Sequence, residues 1–187
     1  MTKLYKVLNE DGSCYHGGSG RWSLPSEKPG EWMPPIEPPL KPCQRGYHVL
    51  KFEHLLEWLG PAIFEVEVDG EVLWESNKGI CSRARLVRKI DSWNERTARL
   101  FACDCADRVR DLAADQRSHH AIDVARAFSE WKATAQAAAL VDTACDAARA
   151  AAWAAGRAAG AAEAAEREWQ IQHLRTLLDE GMEVDLC

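Results

Sequence analysis

Cys14, His16, Cys43 and His48 are the side chains of this sequence whose types and spacing come nearest to a metal site. Cys-x-His and Cys-x4-His separations permit a two-cysteine, two-histidine zinc centre, and bound zinc would help an irregular segment fold. The Cys-x2-Cys knuckle that such sites commonly carry does not occur. Reduced, partly buried thiols are the simpler expectation, and no cofactor is expected. The seven cysteines, at 14, 43, 81, 103, 105, 145 and 187, form an odd set without even spacing, as suits reduced thiols in the cytoplasm. Cys103 and Cys105 lie two apart on an expected helix. They point about 200° from one another and cannot share a metal. His119-His120 stands at a helix start, where a pair of surface imidazoles is the plain expectation. Neither a Gly-x-Ser-x-Gly elbow nor a phosphate-cradling glycine loop occurs, so nucleophilic and nucleotide chemistry lack their usual frames.

The elements that must position these residues change character along the chain. All eight prolines precede residue 62, whereas Ala133–Ala165 is alanine at 19 of 33 positions. Proline removes a backbone donor and blocks helix interiors, so Met1–Pro61 reads as loops, turns and short strands. Alanine has the highest helix propensity and a thin side chain, so the far end reads as closely packed helices. The expected fold class is α+β: a small mixed or antiparallel sheet with irregular Pro/Gly-rich loops, then an alanine-rich antiparallel helical bundle. The expected domains are 1–91 and 92–187.

Within the first, Leu4–Leu8 and Ser13–His16 read as a hairpin around the Asn9–Gly12 turn. The stretch from Trp22 to Pro42 holds seven prolines and two tryptophans without a period, an ordered excursion pinned by Trp22 and Trp32. Gly46–Leu50 reads as a strand and Phe52–Leu59 as a short helix stopped by Gly60-Pro61. Ala62–Val68 alternates apolar residues with Glu65 and Glu67, and Asp69-Gly70 turns it into Glu71–Trp74. Ile80–Ile90 reads as a last strand. At Ser92 the period becomes helical: Ser92 and Glu95 have capping-box spacing, opening a helix to about Ala114 with Phe101, Cys105, Val109 and Leu112 on one stripe. Ser118 is placed to cap a second helix through Trp131, with Ile122, Ala125, Phe128 and Trp131 inward. Beyond Ala133, alanines recur at three/four spacing to 158, 162 and 165. One helix from Thr134 to Leu178 would be about 65 Å long, so a bend is expected near Gly156–Gly160 or Gln136.

Charge limits the partners. The net charge is −6, and residues 92–187 carry 11 basic against 16 acidic side chains, compared with 12 against 13 before them. No basic stripe exists to track phosphates, so nucleic-acid binding is not expected. No run reaches 18 apolar residues, so no membrane span is expected.

Two resemblances add to this reading. Tyr15-His16-Gly17-Gly18, then Gly46-Tyr47-His48 before a short helix, then Ile63–Val68, resembles the order of elements in ADP-ribosyltransferases. In that family a His-Gly dipeptide on an early strand and a Gly-x-Tyr-type strand hold NAD. The resemblance implies that His16 and Gly17 bind NAD and that Tyr47 stacks on nicotinamide. Glu71 would stand for the glutamate that polarises the ribose, although it falls earlier than the family's final-strand position, as does Glu75. The plain alternative is that His16 and Tyr47 pack a small sheet.

The second covers Ser92 to about Leu178. Trp93-Asn94-Glu95-Arg96-Thr97-Ala98-Arg99-Leu100-Phe101, continuing to Val109, is similar to the opening helix of a family of immunity proteins from toxin loci and phages. Ala121–Phe128 matches their next helix, and an Ala/Trp/Arg-rich tract follows, although the Asp115–Arg117 loop is shorter than in many relatives. The N-terminal part resembles a phage-type domain of unknown function, with Cys43-Gln44-Arg45-Gly46-Tyr47-His48 at its core. These likenesses imply a cytoplasmic phage or bacterial accessory protein that binds and inhibits a toxin or host-defence component. Asp104, Asp107, Asp111, Arg126 and Trp131 are its expected contact residues. An ADP-ribosyltransferase-like enzyme using NAD is the alternative, and a self-associating phage structural protein a lesser one.

Overall fold

A computed structural model describes residues 2–108, 110, 116–131 and 160–180 of the 187-residue chain. The chain divides into two compact units, Met1–Trp93 and Asn94–Cys187, and its class is α+β.

The first unit holds two three-stranded antiparallel sheets. In one, β1 (Leu4–Leu8) and β6 (Ala84–Lys89) flank β3 (Ala62–Val68). In the other, β5 (Gly79–Cys81) lies between β2 (Tyr47–Val49) and β4 (Val72–Trp74). Tyr5 and Leu50 exchange both backbone hydrogen bonds, each 2.8 Å, and so join the sheets. The β3 sequence alternates less cleanly in burial than in type. Ala62, Ile63 and Phe64 are all buried, because a central strand is covered on both faces where it enters the core. Farther along, Glu65 meets Arg88 and Glu67 meets Arg85 across the strand pair, cross-strand ion pairs on the wetter part of the sheet.

The stretch Ile80–Ile90, expected as one strand, breaks at Ser82-Arg83 into β5 and β6, which belong to different sheets. Ser13–His16 is not a hairpin strand either. It makes single bridges, Leu8 with Cys14 and Ser13 with Arg21, since Gly17 and Gly18 turn the chain away at positive φ. Phe52–Leu59 is a 3-10 turn, Phe52–His54, followed by the one-turn helix α1, Leu55–Trp58.

No residue from Trp22 to Leu40 joins a helix or strand. Part of this segment runs along β6. The amides of Gly30, Met33 and Ile36 donate to the carbonyls of Leu86, Ala84 and Ser82, each at 2.9 Å. Donors fall every third residue, so the prolines at 29, 34, 35 and 38 occupy positions where no N–H is needed. Trp22 is buried in the core with Leu8, Val49, Phe64 and Leu86, whereas the Trp32 ring lies under the guanidiniums of Arg83 and Arg85.

In the second unit, α2 spans Glu95–Arg108, α3 Gln116–Trp131 and α4 Gly160–Glu180. Asn94 caps α2: its Oδ1 accepts the Thr97 amide at 3.1 Å, the N-cap geometry the sequence had assigned to Ser92. Trp93 ends the preceding unit, 2% exposed, with its indole N–H donating to Gly60 O at 2.8 Å. Cys103 and Cys105 are both buried, on opposite sides of α2. The Cys103 thiol lies 4.0 Å from Ile122 O of α3, and the Cys105 thiol is close enough to Glu166 of α4 to feel its charge. Ile122 and Ala125 are buried as their spacing predicted, and α3 begins two residues before Ser118. Leu174 and Leu178 supply the buried face of α4, while Ala164 and Ala165 are exposed. Val109, Leu112, the expected bend and most of the alanine seam lie outside the described residues, as do the side chains of Phe128 and Trp131.

Candidate functional site

Register brings His48 of β2 and Lys6 of β1 together in the first unit: the Lys6 ammonium donates to His48 O at 3.0 Å and lies 5.3 Å from the Trp22 ring centroid. Beside them is an open cavity of about 60 Å³, whose polar lining comes from Lys6, Cys14, His16, His48 and Lys78. Burial holds the Lys6 pKa below the ordinary lysine value. His48 is likewise held below the usual histidine range, first by burial and then by the charges of Lys6 and Lys78.

Three of the four candidate zinc ligands, Cys14, His16 and His48, line this cavity. One polar atom of each is otherwise engaged. Cys14 Sγ donates to Gly20 O, His16 Nε2 pairs with Trp58 O at 2.7 Å, and His48 Nε2 accepts the Cys43 amide at 3.2 Å. Cys43, exposed and at φ 57°, accepts from Lys78 Nζ at 3.2 Å. Among the described residues no three His, Cys, Asp or Glu groups gather at ligating distance.

The residues matched to ADP-ribosyltransferases are divided. His16 and Gly17 line the cavity. Tyr47 points to the opposite face of β2 from His48; its ring packs on Trp22 and its hydroxyl donates to Pro34 O at 2.8 Å. Glu71 is exposed in the connection before β4. Since about 150 Å³ is what a benzene ring fills in an apolar cavity, the present volume is short of a nicotinamide ring.

In the second unit, α2, α3 and α4 are linked by charge. Arg126 of α3 donates to Asp104 at 2.8 Å and to Asp107 of α2. Arg110 bridges Asp107 and Asp123. The other Asp104 oxygen meets His173 Nε2 at 2.6 Å. His173 stacks between Phe101 and Trp169. Arg108 lies over Trp169 and pairs with Glu166 at 2.7 Å. Asp104, Asp107 and Arg126, expected at a partner surface, are thus brought together with one another. Asp111 lies outside the described residues.

A third feature escaped sequence reasoning. The β4 strand pairs only with β5 among the described residues. Leu73 and Trp74 are 51% and 40% exposed. Glu75 N donates to Lys78 O, so by alternation Leu73 bonds to β5 while Val72 and Trp74 turn their N–H and C=O groups outward. Gly79 opposite has no Cβ, and the side chains of Val72 and Trp74 fill its place. Lys51 Nζ lies over the Trp74 ring, 4.6 Å from its centroid. The only sequence signal was two consecutive large apolar residues at the end of a short strand.

Compared with protein-family models, curated proteins and solved structures, the chain matches none. No helix among the described residues is long and apolar enough to cross a membrane.

Proposed function

We propose that this chain is a cytoplasmic phage or bacterial binding module that inhibits a toxin or host-defence protein, and that it docks through the edge of β4. One observation carries the proposal: an outward-facing strand edge that also bears Leu73 and Trp74 in the open. Unpaired edges are normally blunted in soluble proteins, because they template pairing with another chain. A partner that adds a strand here would gain main-chain hydrogen bonds and cover both side chains. Glu71 and Glu75 flank the strand and are exposed, so the partner segment is extended, apolar and basic. The helices resembling immunity proteins fit the same class of function. Their ion pairs support a stiff helical body, and we infer that α2, α3 and α4 belong to the alanine-rich bundle expected from the sequence.

The test is capture of the partner by tagged chain from the native host, beside the variant Leu73→Lys/Trp74→Lys. A basic protein held stoichiometrically by the wild type and lost from the variant is expected. Equal recovery by both would exclude the β4 edge.

A further inference from the structure

The Lys6 side chain is half-buried; its ammonium donates to a single carbonyl and faces the Trp22 ring, and no carboxylate pairs with it among the described residues. A lysine has three protons to place, and one carbonyl takes only one of them. The cavity beside it adds a second ammonium, Lys78, and two imidazoles, His16 and His48, and none of its lining residues is acidic. Glu75 is the nearby carboxylate: it pairs with Lys78 at 3.6 Å and its charge also reaches His48. A pocket lined by cationic and neutral groups in a chain of net charge −6 is a local reversal of sign, which draws anions in.

We propose that this cavity binds the carboxylate of a small organic acid or of a peptide C-terminus, with Lys6 and Lys78 of its lining as the counter-charges. Size selects the chemistry. About 60 Å³ is less than half the volume that takes a six-carbon ring, enough for a carboxylate head with its substituent directed to solvent. The carboxylate supplies what the fold withholds from Lys6, a charged acceptor, and charge-assisted hydrogen bonds are the stronger kind.

The experiment uses the full chain and acetate as the probe. The ε-methylene resonance of Lys6 is followed through an acetate titration at constant ionic strength, with chloride as the comparison salt. A saturable shift with half-saturation on the order of 10 mM, absent with chloride, is expected. Lys78→Met should weaken it roughly tenfold, one charge-assisted contact being lost. Lys6→Met replaces a half-buried cation by an apolar chain of similar length and should fold. It should abolish the acetate-dependent rise in melting temperature. Glycylglycine against its C-terminal amide separates the two sources: tighter binding of the free acid than of acetate assigns a chain terminus, and equal binding a small acid. No saturable response, or a thermal response unchanged in Lys6→Met, would overturn the proposal.

Discussion

His48 holds its imidazole against the Cys43 amide as an acceptor, which only the neutral ring can do. Its pKa is lowered, first by burial and then by Lys6 and Lys78, while in the unfolded chain it returns to about 6.5. As pH falls below about 6.5, the unfolded state takes up the proton first. Stability contributed at neutral pH is therefore lost from there downward, until the folded-state pKa is passed. Urea midpoints measured between pH 7.5 and 5.5 (on the order of one unit either side of the imidazole pKa) should fall in the wild type and flatten in His48→Gln. Parallel curves would show that His48 contributes nothing. Arg126 offers a second test. It is burdened by burial but held charged by Asp104 and Asp107, and its side chain is about one third exposed. Arg126→Met should cost about 1–2 kcal/mol in urea denaturation, discounted for solvent screening and retained because two carboxylates each lose one of their partners. A loss below about 0.5 kcal/mol would place the network among inert surface pairs.

At the scale of elements, the proline-rich segment covers an edge that β6 would otherwise expose, as its three amides on β6 carbonyls indicate. A Cβ on Gly30 would stand 2.1 Å from Ser23 O, a backbone atom that cannot swing aside. Gly30→Ala should therefore cost about 1–3 kcal/mol and raise hydrogen exchange at Met33 and Ile36. An unchanged melting temperature would mean that the segment is only laid over the sheet. The strand most legible in the sequence was β3, with its clear alternation; β1 was legible on a weaker one. The Ser82-Arg83 break was not, because a strand that changes sheets keeps the same residue types on both sides. Lys6 sits at the polar position of β1 and reads as solvent-facing. Only the pairing of Tyr5 with Leu50 shows that His48 lies over it. At the helix start, Ser92 and Asn94 both have cap chemistry, and Trp93 decides between them. Its indole is spent on Gly60 O in the sheet unit, so the helix begins after it. The Asp104, Asp107 and Arg126 side chains were expected on a surface because charge at helical spacing says nothing about a neighbouring helix that carries the opposite charge.

As a whole molecule, the chain combines a sheet unit with an outward strand edge and a helical unit whose charged residues bind one another. Inhibition of a partner through β4 is the central claim, and it makes a prediction about one backbone atom. Val72 turns its N–H outward, so proline there removes a donor from the free edge and none from the pairing with β5. Leu73→Lys tests the apolar contact; Val72→Pro tests the strand addition itself. The deciding measurement is the affinity of the captured partner for wild type and Val72→Pro, with the fold of each checked by its melting curve. Strand addition predicts a loss of roughly tenfold or more, about 1.4 kcal/mol, together with weakened inhibition of the partner. Unchanged affinity in a folded Val72→Pro chain would contradict it.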